Sequence, residues 1–323
     1  MSGRTQPASP AASREAFAAE VREYLERTPR QLPSKYLYDE LGSSLFEAIC
    51  RLPWYRITRA ESSLLGRFAK KILQPLRRPL SIAELGCGSG EKLAILTANG
   101  GEPTALIQLV DISAAALDMA QYRLEAVGYH NVLAHQSTYE EGLVQVARSR
   151  PADGSLILLF LGSNIGNFDP PVARELLCRI RSTLRAGDAL LLGSDLVKPE
   201  QELLLAYDDP LQVTAAFNRN LLRRINDELD ATFDLDAFAH RALWDRDERR
   251  VEMRLVSLRQ QTVEIGAADY AVTFDAGEEI WTESSHKYEV DQIIAEGRAA
   301  GFGPAQQWVD DDARFALTRF MVA

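Results

Sequence analysis

The run Ile82-Ala83-Glu84-Leu85-Gly86-Cys87-Gly88-Ser89-Gly90 is where residue types and spacing first point to chemistry. An apolar stretch ends in a carboxylate, enters three alternating glycines and gives way to a helical pattern from Glu91. A second apolar run, Leu106 to Val110, ends in Asp111. Glycines let the backbone turn tightly and approach a ligand. A carboxylate at the end of the next strand suits a ribose diol, because it accepts from both hydroxyls. These features place a nucleotide-like cofactor across the first two strands of an open α/β sheet.

A dinucleotide fingerprint needs G-x-G-x-x-G, whereas Gly86, Gly88 and Gly90 give G-x-G-x-G. The run resembles motif I of the class I S-adenosylmethionine (SAM) methyltransferases. That resemblance implies a cationic sulfonium and an amino acid tail over the loop, and the charge of Glu84 fits them. The other reading is a structural glycine turn in some other α/β protein.

Two further segments carry candidate chemistry. A strand expected at 154–161 ends in Gly162-Ser163-Asn164-Ile165-Gly166-Asn167-Phe168. Ligands of open α/β sheets bind outside the carboxyl ends of the strands, so a substrate should meet the cofactor here. Asn167 can hold an amino group or a carboxylate; it serves equally as a helix cap before Asp169-Pro170-Pro171. The second segment is Ile280-Trp281-Thr282-Glu283-Ser284-Ser285-His286-Lys287-Tyr288. Its polar residues end one region and open a helix, so Thr282, Ser284 and Ser285 also read as caps and Glu283 and Lys287 as a solvated face.

The elements that position these residues alternate strand and helix, as in a parallel sheet. Strands are expected near 81–86, 105–110, 131–136, 154–161 and 187–193, with helices near 91–99, 113–127 and 170–184. Ser113 is a plausible N-cap after Asp111. Before them, a helix is expected over 15–28 and another over 58–73, flanking an aromatic-rich stretch. The alternation breaks after Asp195. A helical stretch, Gln212 to Glu228, and two antiparallel strands, Arg249–Leu258 and Tyr270–Phe274, suggest an insertion. A helix at 288–300 and strands near 305–309 and 315–322 then resume the sheet. The expected fold is α/β: a Rossmann-like class I methyltransferase sheet with a second α+β substrate domain made by the N-terminal segment and the insertion. The boundaries read as a disordered tail at 1–14, a substrate-binding domain at 15–60 and 199–285 over the cofactor crevice, and a SAM domain at 61–198 and 286–323.

Composition narrows the class. A chain of 323 residues can bury a substantial core in one large domain or two modest ones. A net charge of −10 argues against a general nucleic-acid binder. Three cysteines without metal spacing, Cys50, Cys87 and Cys178, indicate a reducing compartment and no disulfide framework. No apolar run reaches membrane length, and the Ser-, Ala- and Pro-rich start lacks an export signal core. The expectation is a cytoplasmic monomer with no metal, no nucleic-acid partner and no membrane.

Several separated motifs together resemble the histidine Nα-methyltransferases of ergothioneine biosynthesis. They are Tyr38-Asp39 with Gly42-Ser43-Ser44-Leu45-Phe46; Leu52-Pro53 with Tyr55 and Thr58-Arg59; the Gly86 loop with Lys92; Gly162 through Phe168; Asp195 to Lys198 with Tyr207; and Thr282-Glu283 with Ser285 to Tyr288. The resemblance spans nearly all of 30–323. It implies SAM-dependent trimethylation of L-histidine to hercynine, with S-adenosylhomocysteine as the other product. Glu84, Gly86, Gly88, Lys92 and Asp111 would then serve SAM, with Thr138 and Tyr139 near its adenine. Tyr55, Gly162, Asn167 and Tyr207 would hold the amino acid's main-chain groups, and Glu283 and Ser285 its ring nitrogens. Met253 would pack on the ring, and Phe46 and Tyr38 would close the pocket, with Tyr38 a candidate proton relay beside Asn167 as catalytic residue.

Two positions depart from the family pattern: Trp54-Tyr55-Arg56 replaces Glu-Tyr-Tyr, and Thr138-Tyr139 replaces Asp-Phe. Competing readings are methylation of another amino acid such as tryptophan or tyrosine, SAM binding without turnover, and an RNA or protein methyltransferase.

Overall fold

The computed structural model describes residues 10–100 and 104–323. Residues 1–9 of the expected tail lie outside the described residues, and the first helix already begins at Pro10 rather than Glu15. In chain order the elements are α1 (Pro10–Leu25), α2 (Glu40–Arg51), α3 (Ile57–Leu73), β1 (Leu80–Leu85), α4 (Glu91–Gly100), β2 (Thr104–Asp111), α5 (Ala114–Ala126), β3 (Val132–Gln136), α6 (Tyr139–Ser149), β4 (Ser155–Phe160), α7 (Pro170–Thr183) and β5 (Ala189–Asp195). They continue as α8 (Glu200–Tyr207), α9 (Val213–Leu229), β6 (Phe238–Asp245), β7 (Arg250–Ser257), β8 (Gln261–Ile265), β9 (Tyr270–Phe274), β10 (Glu279–His286), α10 (Val290–Ala299), β11 (Ala305–Asp310) and β12 (Phe315–Met321).

Seven strands form the main sheet in the order β11-β12-β5-β4-β1-β2-β3. The run from β5 to β3 is parallel, and β12 lies antiparallel to both β5 and β11. Strands β1, β4 and β5 are buried at every position, which is why their sequences are near-continuously apolar. The chain leaves β1 toward β2 and β3, then crosses to β4 on the other side. That reversal is the topological switch point, where such sheets bind ligands at the strand C-termini.

The chain forms two compact units. One comprises the described residues up to Ile49, Leu204–Trp244 and Val251–Glu283; the other comprises Cys50–Leu203, Asp245–Arg250 and Ser284–Ala323. The expected boundaries at 60 and 285 shift to 49 and 283. The segment after Cys50 goes with the sheet-bearing unit because α3 sends Ile57, Leu64, Leu65 and Ile72 into a core beside α4 and β12. The turn at 245–250 joins it too: Arg246 pairs with Glu200 at 2.6 Å, and the Arg249 carbonyl accepts from Lys287 N at 2.7 Å. In the other unit, Phe217, Phe238 and Phe274 are fully buried, and the rings of Phe238 and Phe274 meet edge to face at 5.5 Å.

Several elements go beyond the expected ones. Helix α2 follows Asp39, whose carboxylate accepts from Gly42 N at 2.6 Å. Helix α6 starts at a capping box in which Thr138 and Glu141 satisfy each other's backbone N–H groups. The cluster at 280–288, read as opening a helix, is a strand through His286 instead. Its Thr282 hydroxyl donates across to the Met253 carbonyl at 2.9 Å, and the helix begins only at Val290, behind a Glu289/Gln292 capping box. Helix α8 and strands β6 and β8 are further elements that propensity did not reveal.

At the opposite end of the sheet, Asp188 is an interior keystone. It takes both Arg150 guanidinium nitrogens, at 2.5 and 2.9 Å, and accepts from Leu156 N and Arg185 N at 2.8 and 2.7 Å. Replacing Asp188 by Ala strands a buried cation and two backbone donors. The expected destabilisation is about 3–5 kcal/mol, read by urea unfolding; a loss below about 1 kcal/mol would mean that water replaces the carboxylate.

Candidate active site

The glycine loop is shaped by hydrogen bonds to β2. Gly86 N and Cys87 N both donate to the Val110 carbonyl. Gly86, Gly88 and Gly90 all have positive φ. A Cβ on Gly90 would sit 2.8 Å from the Ala120 Cβ of α5, so this glycine permits close helix packing. A Cβ on Gly88 would meet nothing within 4 Å, so the loop is open there. Asp111 is fixed by Gly88 N to Oδ2 at 3.0 Å and by Ser113 N to Oδ1 at 2.9 Å. Both carboxylate oxygens are thus fixed by backbone N–H groups. Burial raises the Asp111 pKa, while these backbone bonds pull against the rise.

Beneath the loop lies a cluster of buried charges. Glu84 is 2% exposed, and its Oε2 has no hydrogen-bond partner. Burial pushes its pKa up to about 8, with Glu61 and Asp111 adding to the rise and Lys92 opposing it. Lys92 donates to Glu61 at 2.6 Å, and Gly162 N reaches both Glu61 oxygens at 2.9 Å. The Lys92 ammonium is held against burial by the Glu61 charge, which leaves its pKa raised. An orphaned buried carboxylate oxygen beside an open glycine loop fits a cationic, ribose-bearing group.

The turn after β4 is built from the same unit. Ser163 takes a left-handed conformation, and its hydroxyl accepts from Asp195 N at 2.9 Å. Asn164–Asn167 then make a 3₁₀ turn. A Cβ on Gly166 would lie 2.6 Å from the His286 carbonyl, so only glycine lets the turn approach β10. The N-cap of α7 is Asp169, which leaves Asn167 outside the capping position. Tyr55 is buried in this unit. So is a lysine pair on one carboxylate: Lys198 Nζ to Asp195 Oδ1 at 2.6 Å and Lys287 Nζ to Asp195 Oδ2 at 3.1 Å. Lys287 also donates to Ser285 Oγ at 2.8 Å.

In the other unit, Tyr38, Phe46 and Phe217 form an aromatic trio, with Tyr38 edge-on to both neighbours at 5.6 and 5.5 Å. The Tyr38 hydroxyl lies 3.4 Å from Glu283 Oε1. Met253 is buried in β7, joined to β10 by the Thr282 bond. Tyr207 ends α8, and its carbonyl accepts from His240 Nε2 at 2.8 Å. Asn218 donates to His240 Nδ1 at 3.0 Å, fixing the tautomer that carries its proton on Nε2. Burial lowers the His240 pKa, with the bond to the Tyr207 carbonyl opposing the shift.

Each residue expected at the site therefore has a defined place. Glu84, Gly86, Gly88, Lys92, Asp111, Gly162, Asn167, Tyr55 and Ser285 belong to the sheet-bearing unit, and Tyr38, Phe46, Tyr207, Met253 and Glu283 to the other. The Thr138 hydroxyl is engaged as a helix cap. Tyr139 packs edge to face on Phe160 and Phe168, and a Cβ on Gly86 would come within 3.0 Å of its hydroxyl. The sequence alone does not single out Glu61, Phe217 or His240, and Lys287, expected on a solvated face, is buried on Asp195. Glu61 carried a usable signal, a carboxylate within the apolar stripe Ile57, Ala60, Leu64 of α3.

Residues 17–322 match the family described as histidine-specific methyltransferase, SAM-dependent. The chain belongs to this family. The histidine N-alpha-methyltransferase of Mycobacterium tuberculosis (strain CDC 1551 / Oshkosh) is 39% identical over 94% of this chain and 94% of its own length. That of Mycolicibacterium smegmatis is also 39% identical, over 94% of each chain. Ergothioneine biosynthesis protein 1 of Schizosaccharomyces pombe is 28% identical over 90% of this chain, which corresponds to 39% of that longer protein. Among the described residues, no helix is long and apolar enough to cross a membrane, and no cluster of metal-ligating side chains occurs.

In this methyltransferase family the methyl donor is SAM, and Asp111 sets a carboxylate held by backbone N–H groups beside the glycine loop. Asp111→Ala is expected to weaken SAM binding by about 1–3 kcal/mol without unfolding the protein. Unchanged affinity by calorimetry in a folded variant would remove Asp111 from the ribose site.

Proposed function

We propose that this protein transfers three methyl groups in succession from SAM to the α-amine of L-histidine, giving hercynine. The observation that carries the reading is the match to the histidine-specific family along residues 17–322, in a chain that sets Glu283 and Ser285 on one face of β10. Residues two apart on a strand point to the same side. A carboxylate and a hydroxyl so placed suit the two ring nitrogens of histidine.

SAM supplies an electrophilic methyl group on a sulfonium. The chain's own residues orient its parts: Asp111 the ribose, Glu84 the positive charge, Gly86 and Gly88 the close backbone approach, and Lys92 the carboxylate of its tail. Thr138 and Tyr139 border the adenine. On the substrate side, Asn167, Gly162, Tyr55 and Tyr207 take the α-amino and α-carboxylate groups, and Met253 and Phe46 pack on the ring. In-line displacement needs a neutral amine held about 3 Å from the methyl carbon, so positioning supplies most of the acceleration. The substrate ammonium must lose a proton first, and activity therefore favours mildly basic pH. Tyr38, whose hydroxyl lies 3.4 Å from Glu283 Oε1, is the proposed relay for that proton. After each of the first two transfers the nitrogen is again an ammonium, which must lose another proton and rotate before its lone pair can face the methyl group of the next SAM; after the third it is quaternary.

The direct test is incubation with SAM and each of the twenty amino acids, followed by mass analysis. Histidine is expected to gain three methyl groups by way of mono- and dimethyl intermediates. A product stalled at one methyl under excess SAM, or preference for tryptophan or tyrosine, would refute the reading. Glu283→Ala is expected to lower kcat/KM for histidine by roughly 10²-fold with SAM affinity nearly intact, the loss of a charge-assisted bond. Wild-type histidine activity in that variant would overturn the ring-recognition role of Glu283.

A further inference from the structure

We propose that Lys287 is a positioning residue that fixes the direction of the Ser285 hydroxyl, so that the site takes histidine with an unprotonated ring nitrogen facing Ser285. The inference rests on the reading above that Ser285 meets the ring. It goes beyond that reading by naming the form of the ring and the residue that selects it.

Lys287 is 2% exposed, and its Nζ lies 2.8 Å from Ser285 Oγ. An ammonium has three donors and no acceptor, so Ser285 Oγ must be the acceptor in this bond. A hydroxyl whose lone pair is turned to an ammonium offers its O–H on another side. Asp195 holds the ammonium in place through Oδ2 at 3.1 Å, and Lys198 holds Asp195 through Oδ1 at 2.6 Å. The Lys198 ammonium is itself anchored on the Ala313 carbonyl at 2.7 Å. The chain of contacts from Ala313 to Ser285 is therefore anchored at its far end, and every link has one possible donor direction.

On the ring side the match is complementary. Ionised Glu283 only accepts, and Ser285, polarised by Lys287, donates. A neutral imidazole has one N–H and one acceptor nitrogen, and it fills this pair in one orientation only. An imidazolium has two donors. It would set an N–H against the Ser285 O–H and bring a second cation beside Lys287. A ring lacking the acceptor nitrogen leaves the Ser285 proton unpaired, a loss that polar sites penalise heavily.

The test compares histidine with a pyrrolylalanine that keeps the ring N–H but carries carbon in place of the other nitrogen. In wild-type protein kcat/KM is expected to favour histidine by at least about 10²-fold. Lys287→Met removes the ammonium while Asp195 keeps Lys198, so no buried carboxylate is stranded. This variant should cut the preference about tenfold, with SAM affinity unchanged, because the ammonium that turns the Ser285 lone pair is gone. If it does not yield folded protein, Lys287→Gln serves under the same criterion, its side chain being too short to hold the 2.8 Å bond. A preference kept at the wild-type value in the folded variant would overturn the proposal. Ser285→Ala separates the two layers. If it leaves the preference untouched, Ser285 does not meet the ring and the underlying reading fails; if it abolishes the preference while the Lys287 variants keep it, only the role of Lys287 fails.

Discussion

A carboxylate withdrawn from water must be met by positive charge or by a proton. The cofactor end of this protein is organised around that constraint. Glu84 is buried one residue before the end of β1, yet the ammonium that could neutralise it, Lys92, is bonded to Glu61 at 2.6 Å. Two buried acids thus face one lysine. Glu61 also receives Gly162 N, so the same carboxylate ties α3 to the turn after β4. Glu84 is left with an unpartnered oxygen. The family's methyl donor, SAM, carries a positive charge, and on the function proposed above that charge is the one Glu84 meets.

The two units reach fixed geometry by different means. The sheet-bearing unit uses backbone: positive-φ glycines, N–H groups aimed at Asp111, and a Gly166 that admits the His286 carbonyl. The other unit uses packing and hydrogen-bond direction. An aromatic trio holds Tyr38, and Asn218 sets the tautomer through which His240 binds the Tyr207 carbonyl. Methyl transfer demands a precise line between amine and methyl carbon and little acid–base chemistry, so rigid supports matter more here than reactive groups.

The sheet was legible from sequence because its determinants are local. Apolar runs ending in Glu84, Asp111 and Gly162 mark strand ends at the switch point, and Ser113 is the N-cap its position implied. Helix α6 escaped although its capping box, Thr138 with Glu141, was written in the chain, because a short amphipathic helix competes with loop readings. The 280–286 segment looked like caps because its polar residues gain partners only from distant strands, as Thr282 does from Met253. Glu61 and Lys287 are the clearest losses. Each is a charged residue whose partner lies far along the chain, and only folding brings Glu61 to Lys92 or Lys287 to Asp195. The domain boundary moved for a related reason: Tyr55 and Ser285 follow the element they pack with, not the motif they neighbour.

Proton release on SAM binding tests most directly whether Glu84 is a buried acid that a bound cation ionises. With a pKa pushed up to about 8, Glu84 holds its proton in the free protein at pH 7. A bound cation favours the ionised form, so binding must expel the proton, and affinity must rise with pH until about 8 and then level off. Calorimetric titration of SAM at pH 7, in two buffers of different ionisation enthalpy, counts the protons. The account predicts release approaching one proton in the wild-type protein and its loss in Glu84→Gln. No release from the wild type, or equal release from the variant, would contradict it.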